Sequence, residues 1–379
     1  MNDRLWPKRL FALDISRGFA ALAVVLWHWQ HFAFKGSSPP EDFDRTSQPL
    51  YAIFKIFYEK GSLGVEYFFL LSGFIFFWLY RSSIENKSTC FGDFWMQRFS
   101  RLYPLHCITL LIAALLQSAY FSHNGYPFVY PFNDMYHFFL NVVFASQWGF
   151  ESGWSFNAPV WSISIEVLLY LIFFIISYLR QGKTFFCLGV SVIAFAITPF
   201  IHHYIFKGLS LFFFGGFVFY LTVLLSTRFQ NLKAMAYIVT ALFWILTIVN
   251  FYIFNLSDLI LELGIIGKGF LIAFPGHILF PLTVCCLTLI EIDRGQFLKS
   301  ISWIGDITYS SYLLHFPLQL VFGLSVGYGA MNADFYLHPV YLMVFFSILI
   351  PLSYITFIGF ERPIQNMIRN QFRHQVNPE

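Results

Sequence analysis

The chain has 379 residues, of which 58% are hydrophobic and only 11% charged. A soluble domain carries about 25% charged residues, so this composition excludes a large soluble domain. No basic block suggests nucleic acid, and the formal net charge of +3 says less than the placement of the charges.

Apolar stretches of helical length fall near 10–34, 62–80, 101–121, 161–179, 184–202, 207–226, 234–254, 269–290, 303–325 and 340–360. Each is close to the roughly 20 residues that cross a bilayer core. The expectation is an all-α integral membrane protein of about ten transmembrane helices. It forms a single domain over 1–379, with a cytoplasmic N-terminus 1–9, a helical bundle 10–361 and a cytoplasmic tail 362–379. The first apolar run resembles a signal peptide, but it lacks a small-x-small cleavage site and carries Asp14, Arg17, His28 and His31, so it reads as a retained helix. Asp134–Trp148 is apolar but too short to span, and is expected at the outer interface or as a re-entrant piece. The aromatic-rich loop 121–160 around it suits either a lid over an extracytoplasmic ligand or an interfacial aromatic belt.

With the N-terminus inside, only Lys35, Arg45, Lys55, Lys60, Lys207 and Lys268 of the 23 Lys and Arg residues fall outside. The positive-inside rule therefore puts both termini in the cytoplasm. The five cysteines (Cys90, Cys107, Cys187, Cys285, Cys286) avoid the outward loops and show no zinc-ligand spacing. They read as packing residues, and no metal is expected.

Ionisable groups inside a span are costly unless satisfied, so they mark functional paths. Arg17 and His28 are eleven positions apart, which on a continuous α-helix puts them within roughly 20° of one face. Asp14 and Arg17 are i,i+3 neighbours, as are His28 and His31. Glu66 sits near the outer end of the second span, and Gly64, Ser72 and Gly73 allow close helix packing there. Arg98 and Arg101 share one face at the mouth of the third span, a fork suited to phosphates. Glu166 lies inside the Trp161–Ser162–Ile163–Ser164–Ile165–Glu166 run and needs a partner from another helix. In Tyr309–Ser310–Ser311–Tyr312–Leu313–Leu314–His315–Phe316–Pro317, the proline is expected to kink or break the helix just past His315.

Taken together, these segments resemble the acyltransferase-3 family of membrane acyltransferases over nearly the whole length. The resemblance rests on Asp14 to Gly18 followed by His28, on Gly64 to Phe74, on Arg98-x-x-Arg101, on Trp161 to Glu166 and on Tyr312 to Pro317. Glu66 stands where the family more often has Asp, and Ser16 replaces an apolar residue. About twenty residues follow the last span, so the expectation is a member without a fused soluble hydrolase-like domain. The resemblance implies acyl transfer, acetyl first, from cytoplasmic acetyl-CoA or another acyl-CoA to a hydroxyl of a cell-surface or exported saccharide, lipid-linked acceptors included, at the bacterial cytoplasmic membrane. It implies His28, Glu166 and Glu66 as catalytic residues, Arg17, Arg98 and Arg101 as donor-binding residues, and Asp14, Ser162, Tyr312 and His315 as supporting residues. Imidazole suits removal of a hydroxyl proton near neutral pH, and a carboxylate on its other nitrogen would fix its tautomer. Glu166 is the favoured partner of His28, and Glu66 the second. The rival reading is a secondary transporter or glycan flippase using the same His and Glu residues as a substrate or proton path.

Overall fold

The computed structural model describes residues 6–201 and 203–376, with side chains as far as 371. Arg4, expected in the cytoplasmic N-terminus, and residues 377–379 of the expected tail lie outside the described residues. The principal helices are α1 (Phe11–Trp27), α2 (Tyr51–Lys60), α3 (Gly64–Leu79), α4 (Phe91–Asn124), α5 (Met135–Val142), α6 (Trp161–Tyr178), α7 (Thr184–Ile197), α8 (Tyr204–Thr227), α9 (Lys233–Tyr252), α10 (Ile265–Phe274), α11 (Phe280–Arg294), α12 (Thr308–Gly327), α13 (Pro339–Thr356) and α14 (Arg362–Val376). Among the described residues there is no β-strand, only one isolated bridge between Lys35 and Ser38. The chain is an all-α, multi-pass membrane protein, and among the described residues 8 helical stretches are long and apolar enough to cross a bilayer.

The remaining two expected spans are helical but fall short of that mark. α7 has only 14 residues. α12 has 20 residues but is diluted by Tyr309, Ser310, Ser311, Tyr312, His315 and Gln319, all buried. Three boundaries differ from the sequence reading. α4 begins at Phe91, well before the expected start at 101, so Arg98 and Arg101 sit inside the helix and not at its mouth, and the helix continues past Pro104. α12 likewise runs unbroken through Pro317. The expected tail forms α14, which follows α13 through one π-helical turn, Phe357–Glu361.

The chain divides into two compact units, with boundaries inside α1 between Ala20 and Ala21 and inside α6 between Leu168 and Leu169. The first unit takes in residues up to Ala20, Glu59–Ser88 and Leu169–Gly305. Its centre is the pairing of α3 with α8, which glycines make possible. A Cβ on Gly73 would lie 1.8 Å from the carbonyl oxygen of Phe212, and one on Gly215 2.0 Å from that of Leu70. Such small residues let helices approach in lipid, where burial of apolar surface gives no drive. In the same unit, the wholly buried Glu291 accepts from the Ala12 backbone N–H at 2.9 Å. A carboxylate there satisfies an otherwise orphaned donor in the first turn of α1.

The second unit takes in Ala21–Tyr58, Thr89–Leu168 and the chain from Asp306 onward. α12 packs against α4 and α13, and α14 lies along α4. Arg369 anchors α14 by donating from Nε to Ser100 Oγ at 3.2 Å and from Nη2 to the Gln97 carbonyl at 3.1 Å. The loop 121–160 is stitched down by side chains. Gln117 on α4 donates to the Phe128 carbonyl at 2.8 Å and accepts from the Phe128 N–H at 3.1 Å. Trp148 Nε1 donates to the Ser164 carbonyl at 2.8 Å. Asp134 caps α5 by accepting from the His137 N–H, which holds its carboxyl below the usual carboxylate range. With 8 residues, α5 is too short to span.

Candidate active site

The site is built on one stripe of α12. Tyr309, Tyr312, His315 and Gln319 follow each other at steps of three, three and four residues, so they share one helix face. From Tyr309 to His315 that face rises about 9 Å. Tyr309 donates to the Leu102 carbonyl of α4 at 2.5 Å, and it lies within electrostatic range of Arg101, Glu361 and Glu166. Next to it, Ser310 donates to Glu361 Oε2 at 2.7 Å. Tyr312 donates its proton to the Pro159 carbonyl at 2.7 Å and so accepts from Ser162 Oγ at 2.9 Å.

The helix survives Pro317 because the lost bond is replaced. Proline has no N–H for the carbonyl of Leu313, four residues earlier. Asn157 supplies the missing donor, from Nδ2 at 3.0 Å. Its own Oδ1 is buried and makes no hydrogen bond.

His28 and His315 come together at the middle of this stripe. α1 ends at Trp27, and His28 opens a 3-10 segment, His28–Ala33. The α-helix is regular up to Trp27, and His28 is the first residue past it. Nδ1 of His28 lies 2.9 Å from Nε2 of His315, with the rings within 7° of parallel. Nδ1 of His315 faces the Tyr312 carbonyl at 2.7 Å. A carbonyl only accepts, so His315 carries its proton on Nδ1 and its Nε2 is a lone pair. Nδ1 of His28 must then donate, which leaves Nε2 of His28 as a bare lone pair. That nitrogen has no hydrogen-bond partner among the described residues, and it is not one of the sealed, unpartnered atoms.

A carboxylate is the expected partner for His28; the structure puts a second imidazole there instead. Glu66 takes Lys207 Nζ at 2.6 Å within the first unit. Glu166 is half-buried on α6, within electrostatic range of Tyr312. Arg17 also belongs to the first unit, where Asp14 receives both Arg9 Nε at 2.6 Å and Arg17 Nη2 at 3.3 Å. Arg98 and Arg101 are on α4 in the second unit, together with Arg369, which the sequence reading left in a loose tail. Tyr312 and Ser162, both expected as supporting residues, come together, with the Tyr312 proton directed at the Pro159 carbonyl. Gln319 and Asn157 were missed, and His31 and Tyr309 were noted but given no role. The signal for Gln319 and Tyr309 was their spacing from His315. Among the described residues, no group of three or more metal-ligating side chains occurs.

In an all-α membrane protein, an imidazole with one nitrogen fixed and the other bare has the chemistry to accept a proton. A family model described as an acyltransferase domain, the acyltransferase-3 family, matches residues 10–358. The chain belongs to that family. Acyltransferase MdmB of Streptomyces mycarofaciens is 32% identical over 168 residues, 44% of this chain and 38% of that protein. Protein 2 in the picA locus of Rhizobium radiobacter is 32% identical over 115 residues, 30% and 47% of the two chains. Peptidoglycan O-acetyltransferase OatA of Listeria monocytogenes is 23% identical over 193 residues, 48% and 26% of the two chains. The matches thus span less than half the length of each of these relatives. No solved structure matches.

Proposed function

We propose that the protein is a membrane O-acyltransferase that moves an acyl group, acetyl first, from acyl-CoA to a saccharide hydroxyl. The observation that carries this is the bare Nε2 of His28, held by His315 and the Tyr312 carbonyl. Family membership supports the transferase reading over a transporter, and the likeness to the Listeria peptidoglycan O-acetyltransferase supports a glycan acceptor.

In this reading the acceptor O–H gives its proton to His28 Nε2 as its oxygen attacks the thioester carbonyl. The tetrahedral intermediate collapses with cleavage of the C–S bond, and the leaving thiolate takes the proton back from His28. Nδ1–H stays on His315 throughout. Arg98 and Arg101 hold the donor phosphates on the cytoplasmic side of a bacterial inner membrane, and Arg369 steadies that stretch of α4. The α12 stripe leads from Arg101 toward His28 and gives the acyl arm a polar path.

The test is mass spectrometry of surface glycans from cells that express the wild type or His28→Ala at matched levels. Loss of a defined acyl mass in the variant, with the protein still folded and inserted, is the expected result. Equal acylation in the two strains would refute His28 as the base.

A further inference from the structure

His31 repeats the electronic state of His28. The two lie three residues apart in the 3-10 segment His28–Ala33, where side chains at i and i+3 eclipse. Their ring centroids are accordingly 4.7 Å apart, with the planes at 30°. Gln319 settles the tautomer of His31. Its Nε2 donates to the His28 carbonyl at 2.8 Å, so its Oε1 is left facing His31 Nδ1 at 3.3 Å. An amide oxygen only accepts, so His31 carries its proton on Nδ1. Its Nε2 is a second lone pair with no partner among the described residues. Both Nδ1 atoms face α12, at His315 and Gln319, and Nε2 is on the far edge of an imidazole from Nδ1. The two lone pairs therefore point away from α12, side by side, with the rings of Phe34 and Tyr130 at 5.2 and 5.7 Å from His31.

Two adjacent acceptors beside aromatic walls match a ligand with two adjacent donors. We propose that the acyl acceptor is a vicinal diol and that His31 is its specificity-determining residue. One hydroxyl gives its proton to His28 and takes the acyl group, while its neighbour donates a hydrogen bond to His31 Nε2. This rests on the acyltransferase reading of His28. An acceptor without the neighbouring hydroxyl leaves the His31 lone pair unmatched, a loss of roughly 10–100-fold in kcat/KM.

The purified full chain in nanodiscs, supplied with acetyl-CoA and two methyl glycosides that differ only in that neighbouring hydroxyl, should prefer the diol by this factor. His31→Phe keeps a planar ring but has no lone pair. It should slow the diol reaction by a similar factor and bring the two acceptors level. A preference that survives His31→Phe, or no preference in the wild type, overturns the proposal. A second measurement depends on neither the acceptor nor the folding of a variant. Nitrogen-15 spectra of histidine-labelled wild-type protein should show His28 and His31 each protonated on Nδ1 and bare on Nε2. A proton on Nε2 of His31 sinks this proposal alone, and one on Nε2 of His28 sinks the base as well. Zinc binding that is lost in His31→Phe would assign the pair to a metal and overturn the diol. Unchanged ester content in His28→Ala cells would remove the parent reading and this one with it. An ester on a hydroxyl with no free neighbouring hydroxyl would remove only this one.

Discussion

Replacing His315 by Phe isolates the tautomer lock. Phe keeps the bulk of a fully buried ring but removes the Nε2 that receives His28 Nδ1–H at 2.9 Å. Two effects follow. A buried N–H without an acceptor costs about 1–3 kcal/mol of stability, and the Tyr312 carbonyl, 2.7 Å from His315 Nδ1, loses a donor. The larger effect is on the reaction, because His28 can then place its proton on Nε2, where it no longer acts as a base. In Ser-His-Asp hydrolases, breaking the group that fixes the imidazole tautomer lowers kcat about 10⁴-fold. There a carboxylate also stabilises the imidazolium; His315 is neutral, so about 10–10³-fold is expected here, with KM for acyl-CoA little changed. His315→Gln offers an amide oxygen to the same N–H and should recover part of the loss. The assay is thiol release from acetyl-CoA by purified protein, with product mass measured in parallel and thermal unfolding followed as a control. A folded His315→Phe enzyme with wild-type kcat, or a Gln variant no better than Phe, would refute the argument.

Two further outcomes are expected. Arg98→Ala and Arg101→Ala should each weaken coenzyme A binding, and Lys at either place should restore it only in part, because the planar fork is lost; calorimetry with unchanged affinity in both would leave them as topology anchors. Asn157→Ala should cost about 1–3 kcal/mol by orphaning the Leu313 carbonyl, and Asn157→Asp should cost more, since it turns a carboxylate toward that carbonyl; thermal unfolding in detergent that ranks Asp above Ala would contradict the capping role.

The membrane architecture was legible in the sequence because long apolar runs report directly on the bilayer. The site was legible as residue types and less so as partners. His28 stood out as an imidazole in a span, but its partner was sought among carboxylates, since a charged group in lipid is the one that most demands explanation. Glu66 meets that demand with Lys207, a residue whose place in the count was an outside loop. Gln319 went unnoticed because Pro317 is a helix breaker by default. The side chain that rescues the helix, Asn157, is 156 positions before Leu313, whose carbonyl it caps, and no local pattern announces such a pairing. The shift from α to 3-10 geometry at His28 is equally silent in the sequence, and it is what aligns the two imidazoles.

The polar face of α12 has a consequence for how the protein is made. A segment with two tyrosines, a histidine and a glutamine on one side is poorly suited to enter lipid alone, because its side chains seek partners that the hydrocarbon does not offer. Nearly all of those partners precede it in the chain: Leu102 for Tyr309, Pro159 and Ser162 for Tyr312, His28 for His315, and His31 for Gln319. When α12 leaves the ribosome, its hydrogen-bonding surface has therefore already been synthesised and is waiting in the membrane. Glu361, which receives Ser310, arrives later. The order of the chain lets this poorly insertable helix enter after most of the groups it bonds to, with α13 still to follow, so its polar stripe finds its hydrogen-bond partners as it enters the bundle.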